Sequence, residues 1–524
     1  MNRAWLKTIR VTLAVVFFVY TLIIFLDFTE LVGHHFYHGL TFLQFTPSLI
    51  EFIHILSLTS LGFLVVIILT LLFGRIYCST ICPAGVFQDL VIFLKRKIRK
   101  KQRFRFLKAR NAIRLSILGL VLISVLAGSM VLLNILDPYS IFGRILVELF
   151  RPLVIGANNL LSSILKLFNN FAVKPVEIRS FVTGSFVVAL VFFAVLLLFP
   201  LFSGRQYCNT LCPVGTLLGY LSKISLFRIS LDQPSCTQCG ACMFTCKAGC
   251  IDVRNKQVDF SRCVVCFNCL KACSVNGIHY SPFWKKATSE LLPVKTDLSK
   301  RNFLLTSAIL FGSLVTVKGQ PGRGGGHGYG RHRNREPENT LPVSPPGSIS
   351  HQHFTSACTG CYLCVSACPT QVLQPSLASY GWEGLFQPVM DYRVSFCNYD
   401  CVACSQVCPT GAILPLLVEQ KKEVQLGKAR FIKRECVVYT ENTDCGACSE
   451  HCPTKAVNMV PYQHGLTIPE VTTSICVGCG ACEYACPTDP KAIVVDANPV
   501  HLKAELPVET EEGEEIDYKE EFPF

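Results

Sequence analysis

The residues that can do chemistry in this chain are its cysteines. Cys236-x-x-Cys239-x-x-Cys242-x-x-x-Cys246 and Cys263-x-x-Cys266-x-x-Cys269-x-x-x-Cys273 each offer four thiolates at the spacing that holds a [4Fe–4S] cluster. In two-cluster ferredoxins the fourth cysteine of each run crosses to the other cluster. The expected sets are therefore Cys236, Cys239, Cys242 with Cys273, and Cys263, Cys266, Cys269 with Cys246. Four further runs follow: Cys358, Cys361, Cys364, Cys368; Cys397, Cys401, Cys404, Cys408; Cys436, Cys445, Cys448, Cys452; and Cys476, Cys479, Cys482, Cys486. Proline follows the last cysteine at Pro369, Pro409, Pro453 and Pro487. Zinc sites favour paired C-x-x-C or mixed Cys/His sets. A disulfide framework suits a short secreted domain without a core, and this chain has 524 residues. Six runs therefore imply six [4Fe–4S] clusters and electron transfer.

The elements that must position these runs begin with apolar helices. Half the residues are hydrophobic, 16% are charged and the mean hydropathy is +0.41, a balance that points to membrane spans. Four stretches are long enough to cross a bilayer: Val11–Phe28, Phe52–Phe73, Leu115–Leu136 and Phe181–Phe202. Arg3, Lys7 and Arg10 precede the first, but no small-residue cleavage site follows it, so it is read as a retained helix. The net charge is +13, and ten Lys/Arg fall in Lys95–Arg110 between two apolar spans. That position makes them a topology signal, not a nucleic-acid surface. The positive-inside rule then puts both ends of the four-helix domain in the cytoplasm.

An internal repeat closes spans two and four. Gly74-Arg75-Ile76-Tyr77-Cys78-Ser79-Thr80-Ile81-Cys82-Pro83-Ala84-Gly85 matches Gly204-Arg205-Gln206-Tyr207-Cys208-Asn209-Thr210-Leu211-Cys212-Pro213-Val214-Gly215 at eight of twelve positions. Two such loops facing each other would offer Cys78, Cys82, Cys208 and Cys212 to one further iron–sulfur centre at the membrane edge. The alternative is a structural turn or a redox-active thiol pair. Arg75 and Arg205 read as snorkelling interfacial arginines. Near the outer end stand Asp27, Glu30, His34, His35, His38, Glu51 and His54. Quinol oxidation needs proton acceptors beside an apolar pocket, which makes His54, Glu51 and Asp27 candidate site residues.

The chain divides into a four-helix membrane domain (1–225), a two-cluster ferredoxin domain (226–285), an export-signal-like segment (298–318), a flexible linker rich in Gly, Pro, Arg and His (319–350), a four-cluster domain (351–500) and an acidic tail (501–524). Cys250 reads as a packed core cysteine. By nesting, the first of the last four runs should share ligands with the fourth, and the second with the third. The fold class is thus a membrane α-helical bundle of four spans plus a fifth short anchor, carrying α+β ferredoxin-like iron–sulfur domains.

The paired G-R-x-Y-C-x-T-x-C-P-x-G loops followed by a two-cluster ferredoxin resemble the NapH family of membrane quinol dehydrogenases. The export-type segment Ser299-Lys300-Arg301-Asn302-Phe303-Leu304-Leu305 followed by four cysteine runs resembles NapG, its partner ferredoxin. The NosR and methylamine-utilisation proteins use the same loops. The resemblance implies quinol as electron donor and a periplasmic oxidoreductase or cytochrome c, of the nitrate reductase kind, as acceptor. It also implies the bacterial inner membrane; the charge pattern places 226–285 in the cytoplasm, and the export-type segment, if it works, places 319–524 in the periplasm. The other readings are a C-x-x-x-C-P ferredoxin serving metalloenzyme maturation or redox sensing, and a relay from cytoplasmic ferredoxin.

Overall fold

The computed structural model describes residues 3–29, 33–56, 60–98, 103–179, 181–275, 277–283 and 341–506. The chain divides into two units, Met1–Phe283 with Leu341–Phe524, and Trp284–Thr340. The export-type segment and most of the expected linker belong to the second unit and lie outside the described residues; Glu30 and most of the acidic tail, in the first unit, also lie outside them.

Apolar sequence, continuous in some segments and interrupted by polar residues in others, builds the helices. They are α1 (Arg3–Leu26), α2 (His34–Phe42), α3 (Phe45–Ile55), α4 (Gly62–Phe73), α5 (Tyr77–Thr80) and α6 (Pro83–Ile98). Then come α7 (Asn111–Leu126), α8 (Val131–Leu136), α9 (Pro138–Ile145), a π-helical turn at Leu146–Phe150, and α10 (Arg151–Leu167). After α11 (Thr183–Ser203), a second π-helical turn at Tyr207–Leu211 leads into α12 (Pro213–Ser222).

Among the described residues, α1 and α11 are the helices long and apolar enough to cross a bilayer. At about 1.5 Å per residue they match the roughly 30 Å hydrocarbon thickness. Both carry their apolar side chains outward: Leu13, Val15, Val16 and Val19 on α1, and Val187, Leu190, Val191 and Leu198 on α11, are exposed. A core helix of a soluble protein hides such residues.

The other two expected spans are broken. Phe52–Phe73 is interrupted after Ile55, where Leu56 turns left-handed (φ 51°) and ends α3. The chain resumes at α4, whose Gly62 lies so close to the Phe42 carbonyl oxygen that a Cβ would sit 1.7 Å from it. Leu115–Leu136 is interrupted between α7 and α8 around Gly128. The remaining apolar helices, α4 with 12 residues and α7 with 16, are shorter than a bilayer is thick.

Two ferredoxin-like modules pack on the helices. The first has β1 (Phe227–Leu231), β2 (Ile251–Asp252), β3 (Gln257–Val258) and β4 (Ile278–Pro282). β1 pairs antiparallel with β4, Phe227 opposite Pro282, and β2 with β3. The second module has β5 (Leu373–Gln374) with β6 (Val389–Met390), β8 (Val457–Pro461) with β9 (Thr467–Val471), and β7 (Val424–Phe431) with β10 (Ile493–Lys503), all antiparallel. This module starts at residue 341, ten residues before the expected boundary. Val343, Ser344 and Ser348 are buried, and Ser350 Oγ accepts a hydrogen bond from His353 N at 3.1 Å, capping the helix His351–Ala357.

α1 and α11 each touch one module at either end. Arg10 of α1 joins an ion cluster with Lys247 of the first module, and the carbonyl of Phe25 accepts from Ser366 Oγ of the second at 2.7 Å. α11 runs the other way. Its Ser185 meets Tyr362, and just past its far end Arg205 N donates to the Lys247 carbonyl at 2.9 Å.

Candidate iron–sulfur centres

Each run folds as a loop, one short helix, and a final cysteine beyond it. The helices are Ala241–Thr245, Asn268–Ala272, Leu363–Ala367, Ala403–Val407, Ala447–Glu450 and Ala481–Ala485. Left-handed residues at Gly240, Phe267, Tyr362 and Gly480 turn the chain into four of them, which lets three sulfurs face one point.

The sulfurs then group across runs. Cys236, Cys239, Cys242 and Cys273 line one cavity, and Cys246, Cys263, Cys266 and Cys269 line another. In the second module Cys436, Cys445, Cys448 and Cys486 line a third. Cys408 acts electrostatically on Cys358, Cys361 and Cys364, Cys368 on Cys397 and Cys404, and Cys452 on Cys476, Cys479 and Cys482. The nested pairing expected for this module is therefore corrected. The first run pairs with the second, and the third with the fourth. The reason is that helices of successive runs pack on each other, Leu363–Ala367 on Ala403–Val407 and Ala447–Glu450 on Ala481–Ala485. Only that packing delivers each last cysteine to its neighbour. The longer gap from Cys436 to Cys445 holds an extra helical turn, Val437–Thr440.

None of these sets is tight enough to grip a single metal ion among the described residues. Thiolates around a cube bind separate iron corners, so wider spacing suits a cluster better than zinc. A [4Fe–4S] cube held this way takes up and gives back one electron.

Cys250 is buried with its sulfur 3.5 Å from that of Cys246, so five thiols stand around the Cys263 set. The crossing pattern assigns the ligand role to Cys246. Iron analysis of anaerobically purified variants is expected to show Cys250→Ala at wild-type iron content and Cys246→Ala short by up to about four atoms per chain.

The two C-x-x-x-C-P loops meet face to face, and Cys78, Cys82, Cys208 and Cys212 are each at most 4% exposed. Cys212 lies within electrostatic reach of Cys208, Cys78 and Cys82, and Cys82 of Cys78 and Cys208. Arg75 and Arg205, both fully buried, are not snorkelling residues but reciprocal clamps. Arg75 Nη2 donates to the Cys208 carbonyl at 3.1 Å, and Arg205 Nη1 to the Cys78 carbonyl at 2.6 Å. The repeat's last glycines follow from the same closeness. A Cβ on Gly85 would stand 2.2 Å from the Cys78 carbonyl oxygen, and one on Gly215 2.2 Å from that of Cys208. Their amides point at sulfur: Gly215 N lies 3.2 Å from Cys212 Sγ, and Gly85 donates likewise to Cys82.

These loops stand between the two modules. Arg205 is within electrostatic reach of both Cys208 and Cys266. Asp137 reaches both Cys82 and Cys361, and Tyr139 reaches Cys361 and Cys408. Further along, Cys397 N donates to the Cys479 carbonyl at 2.9 Å, tying the last two pairs of runs together. The thiol sets thus form one row.

The quinol candidates do not share one pocket. Asp27 accepts from Thr29 N at 2.9 Å and lines a cavity with Tyr37, Arg151 and Cys368. The His54 ring stands edge-on to His353 at 5.5 Å, near Gly411, and Glu51 adjoins Gly411. His38 is exposed. Sequence reasoning passed over Asp89, which gathers Arg10, Arg205 and Lys247, and Glu148, buried beside Ser185. The signal available was that Glu148 is the sole acid between Asp137 and Glu177.

Fold and sites together define an iron–sulfur, ferredoxin-type electron-transfer protein. The model described as a 4Fe-4S binding domain matches residues 57–101 and 185–231, and models described as 4Fe-4S dicluster domains match 357–413 and 443–489. The chain is similar to the putative electron transport protein YccM of Escherichia coli (strain K12), 25% identical over 214 residues, 40% of this chain and 51% of that one. It is similar to the methylamine utilization ferredoxin-type protein MauN of Methylobacillus flagellatus, 30% identical over 175 residues, 33% of this chain and 48% of that one. MauM of Methylophilus methylotrophus is 35% identical over 144 residues, 26% of this chain and 62% of that one. The chain thus spans about half the length of YccM and MauN. No solved structure matches it.

Proposed function

We propose that this chain is a membrane-bound electron carrier of the NapH/NapG type. It takes electrons from quinol and delivers them from the four-cluster module to a periplasmic oxidoreductase or cytochrome c. In this reading the 24 cysteines of the six runs hold six [4Fe–4S] clusters, and Cys78, Cys82, Cys208 and Cys212 hold a further iron–sulfur centre. α1 and α11 cross the inner membrane, with the broken pairs α3/α4 and α7/α8 completing a four-span bundle. The observation that carries the reading is the placement of the thiol sets. α1 and α11, each of bilayer length, have one ferredoxin module at either end and the loop thiols buried between. An electron relay needs that continuity; a maturation factor or sensor does not.

A relay from a soluble cytoplasmic donor is the second reading. It is favoured by the exposed Cys239 and half-exposed Cys236, which bring the outermost thiol set to the surface of the two-cluster module. Protein purified without oxygen, oxidised and returned to vesicles separates the readings. Menadiol or decylubiquinol is expected to bleach the visible absorbance of the clusters. Bleaching by reduced ferredoxin but by neither quinol would replace the first reading with the second. Full iron content with bleaching by neither donor would leave maturation or sensing.

A further inference from the structure

A pocket opens where α10, the entry to α11 and the four-cluster module meet. Its walls are mixed, with Ile155, Val182 and Leu373 among the apolar residues, and the exposed Phe181 and Ile178 also line it. Four polar residues line it, Glu148, Arg151, Gln371 and Gln374, and the amide nitrogens of the two glutamines donate to backbone carbonyls. Glu148 is 6% exposed, and Arg151 follows it by three residues, on the same helical face. Arg151 donates to the carbonyls of Val365 at 3.2 Å and Ser366 at 2.9 Å, while its buried Nε has no partner among the described residues.

Glu148 sits in the π-helical turn Leu146–Phe150. Such turns widen a helix locally and concentrate at functional sites. Its Oε1 accepts from Ser185 Oγ at 2.7 Å, and Ser185 Oγ lies 3.3 Å from Tyr362 Oη. Tyr362 is the residue after Cys361. A hydrogen-bonded path therefore runs from the cavity to the edge of the thiol set Cys358, Cys361, Cys364 and Cys408. No structural task explains a lone carboxyl here, because no cation neutralises it through a salt bridge among the described residues and its burial costs free energy.

We infer that this cavity binds the head group of a hydroquinone, with Glu148 accepting a proton from it and Arg151 Nε donating to its oxygen. The inference rests on the quinol reading above and gives that reading its site. Oxidising one hydroquinone breaks two O–H bonds and yields the quinone, two protons and two electrons. One proton passes to the Glu148 carboxylate and the other to water at the mouth. The electrons leave singly for the iron–sulfur centre held by the Cys358 set. Burial raises the Glu148 carboxyl to about 7, and the Ser185 hydrogen bond opposes that rise. The other titratable or charged groups around it are Arg151 on its own helix, Tyr362 across the module boundary, and Arg144 behind Tyr362. A base near neutrality suits proton abstraction at physiological pH.

The test uses the full chain in detergent, with menadiol as donor and menadione as the bound probe. In wild type the rate of cluster reduction by menadiol should rise from pH 6 to pH 8, as the Glu148 base form fills. Glu148→Gln should lower that rate by about 100-fold and abolish this rise, Glu148→Asp should restore the rise in part, and reduction by dithionite should be unchanged. Val182→Trp, which fills the mouth without touching the carboxyl, should weaken menadione binding in equilibrium dialysis by at least about tenfold. If menadiol reduces wild type and all three variants alike, with one pH profile and one affinity, the cavity is not the site while the quinol reading stands. If no quinol reduces wild type, it is the quinol reading that has failed.

Discussion

Asp89→Asn is expected to loosen the two-cluster module from the helices and to destabilise the protein by about 3–5 kcal/mol, the cost of breaking a buried charge pair. Asp89 lies near the middle of α6 with its carboxylate in contact with three cations. Arg10 Nη1 is 2.9 Å away, Arg205 Nε 2.7 Å, and Lys247 Nζ 3.1 Å. These three come from α1, from the second C-x-x-x-C-P loop and from the first ferredoxin module, so one side chain ties three parts of the chain. Burial alone would favour the neutral acid, but the three cations outweigh it and hold the carboxyl far below the usual range. Removing the charge leaves three buried cations facing one another beside Cys266.

The sign of the pH dependence follows. A carboxyl with a depressed folded value contributes stability at every pH above its unfolded value near 4, and loses it only as pH falls below that toward the folded value. The gap in unfolding temperature between wild type and Asp89→Asn should therefore stay flat from pH 5 to pH 9 and shrink only in strong acid. Scanning fluorimetry of the detergent-solubilised protein measures it, and Asp89→Glu should recover part of the loss. A variant that melts with wild type would show that the cations find other partners, and that Asp89 is not the tie.

What could be read in advance divides by range. The six cysteine runs were legible because three thiols of each set lie within one loop, so spacing alone reports them. Which runs pair was not, because that depends on the packing of Leu363–Ala367 on Ala403–Val407, a tertiary fact. The extents of α1 and α11 were legible as continuous apolar sequence. The breaks at Leu56 and Gly128 were not, since the small polar residues there, Ser57, Thr59, Ser60 and Ser129, are ones an apolar span tolerates, and only a left-handed residue or a close carbonyl marks the break. Arg75 and Arg205 misled for a related reason. An arginine at the end of an apolar stretch ordinarily reaches for water, but here its acceptors are carbonyls in the opposite loop, more than 120 residues away. The loop thiols themselves were legible as an internal repeat, because a duplicated motif implies a duplicated surface that can face its copy.

That facing pair carries the largest functional expectation. Cys82→Ser should remove about four iron atoms per chain, taking the total from about 28 to about 24, and should stop electrons passing from one module to the other. The local chemistry favours a bound centre over four idle thiols. All four sulfurs are withdrawn from water, and donors are aimed at three of them, while Gln88 Oε1 stands 3.5 Å from Cys208 Sγ. Gly85 and Gly215 amides point at Cys82 and Cys212, and Arg75 Nη2 lies 3.7 Å from Cys78 Sγ. Donors and guanidinium groups of this kind stabilise thiolates, the form that ligates iron. The matched segments 57–101 and 185–231, together described as a 4Fe-4S binding domain, contain these four cysteines and no others. Neither segment completes a set of four alone. Between the Cys266 set and the Cys361 set the loops are the only cysteines in the row among the described residues. In vesicles, a membrane-impermeant reductant on the two-cluster side should bleach all the wild-type absorbance. In Cys82→Ser it should bleach only the share belonging to the two-cluster module, while a permeant reductant still bleaches the rest. An iron count near 24 in both proteins would mean that the loops hold no iron. A lower count in the variant with electrons still crossing would move the route elsewhere, and Asp137, within electrostatic reach of both Cys82 and Cys361, would be the first residue to change next.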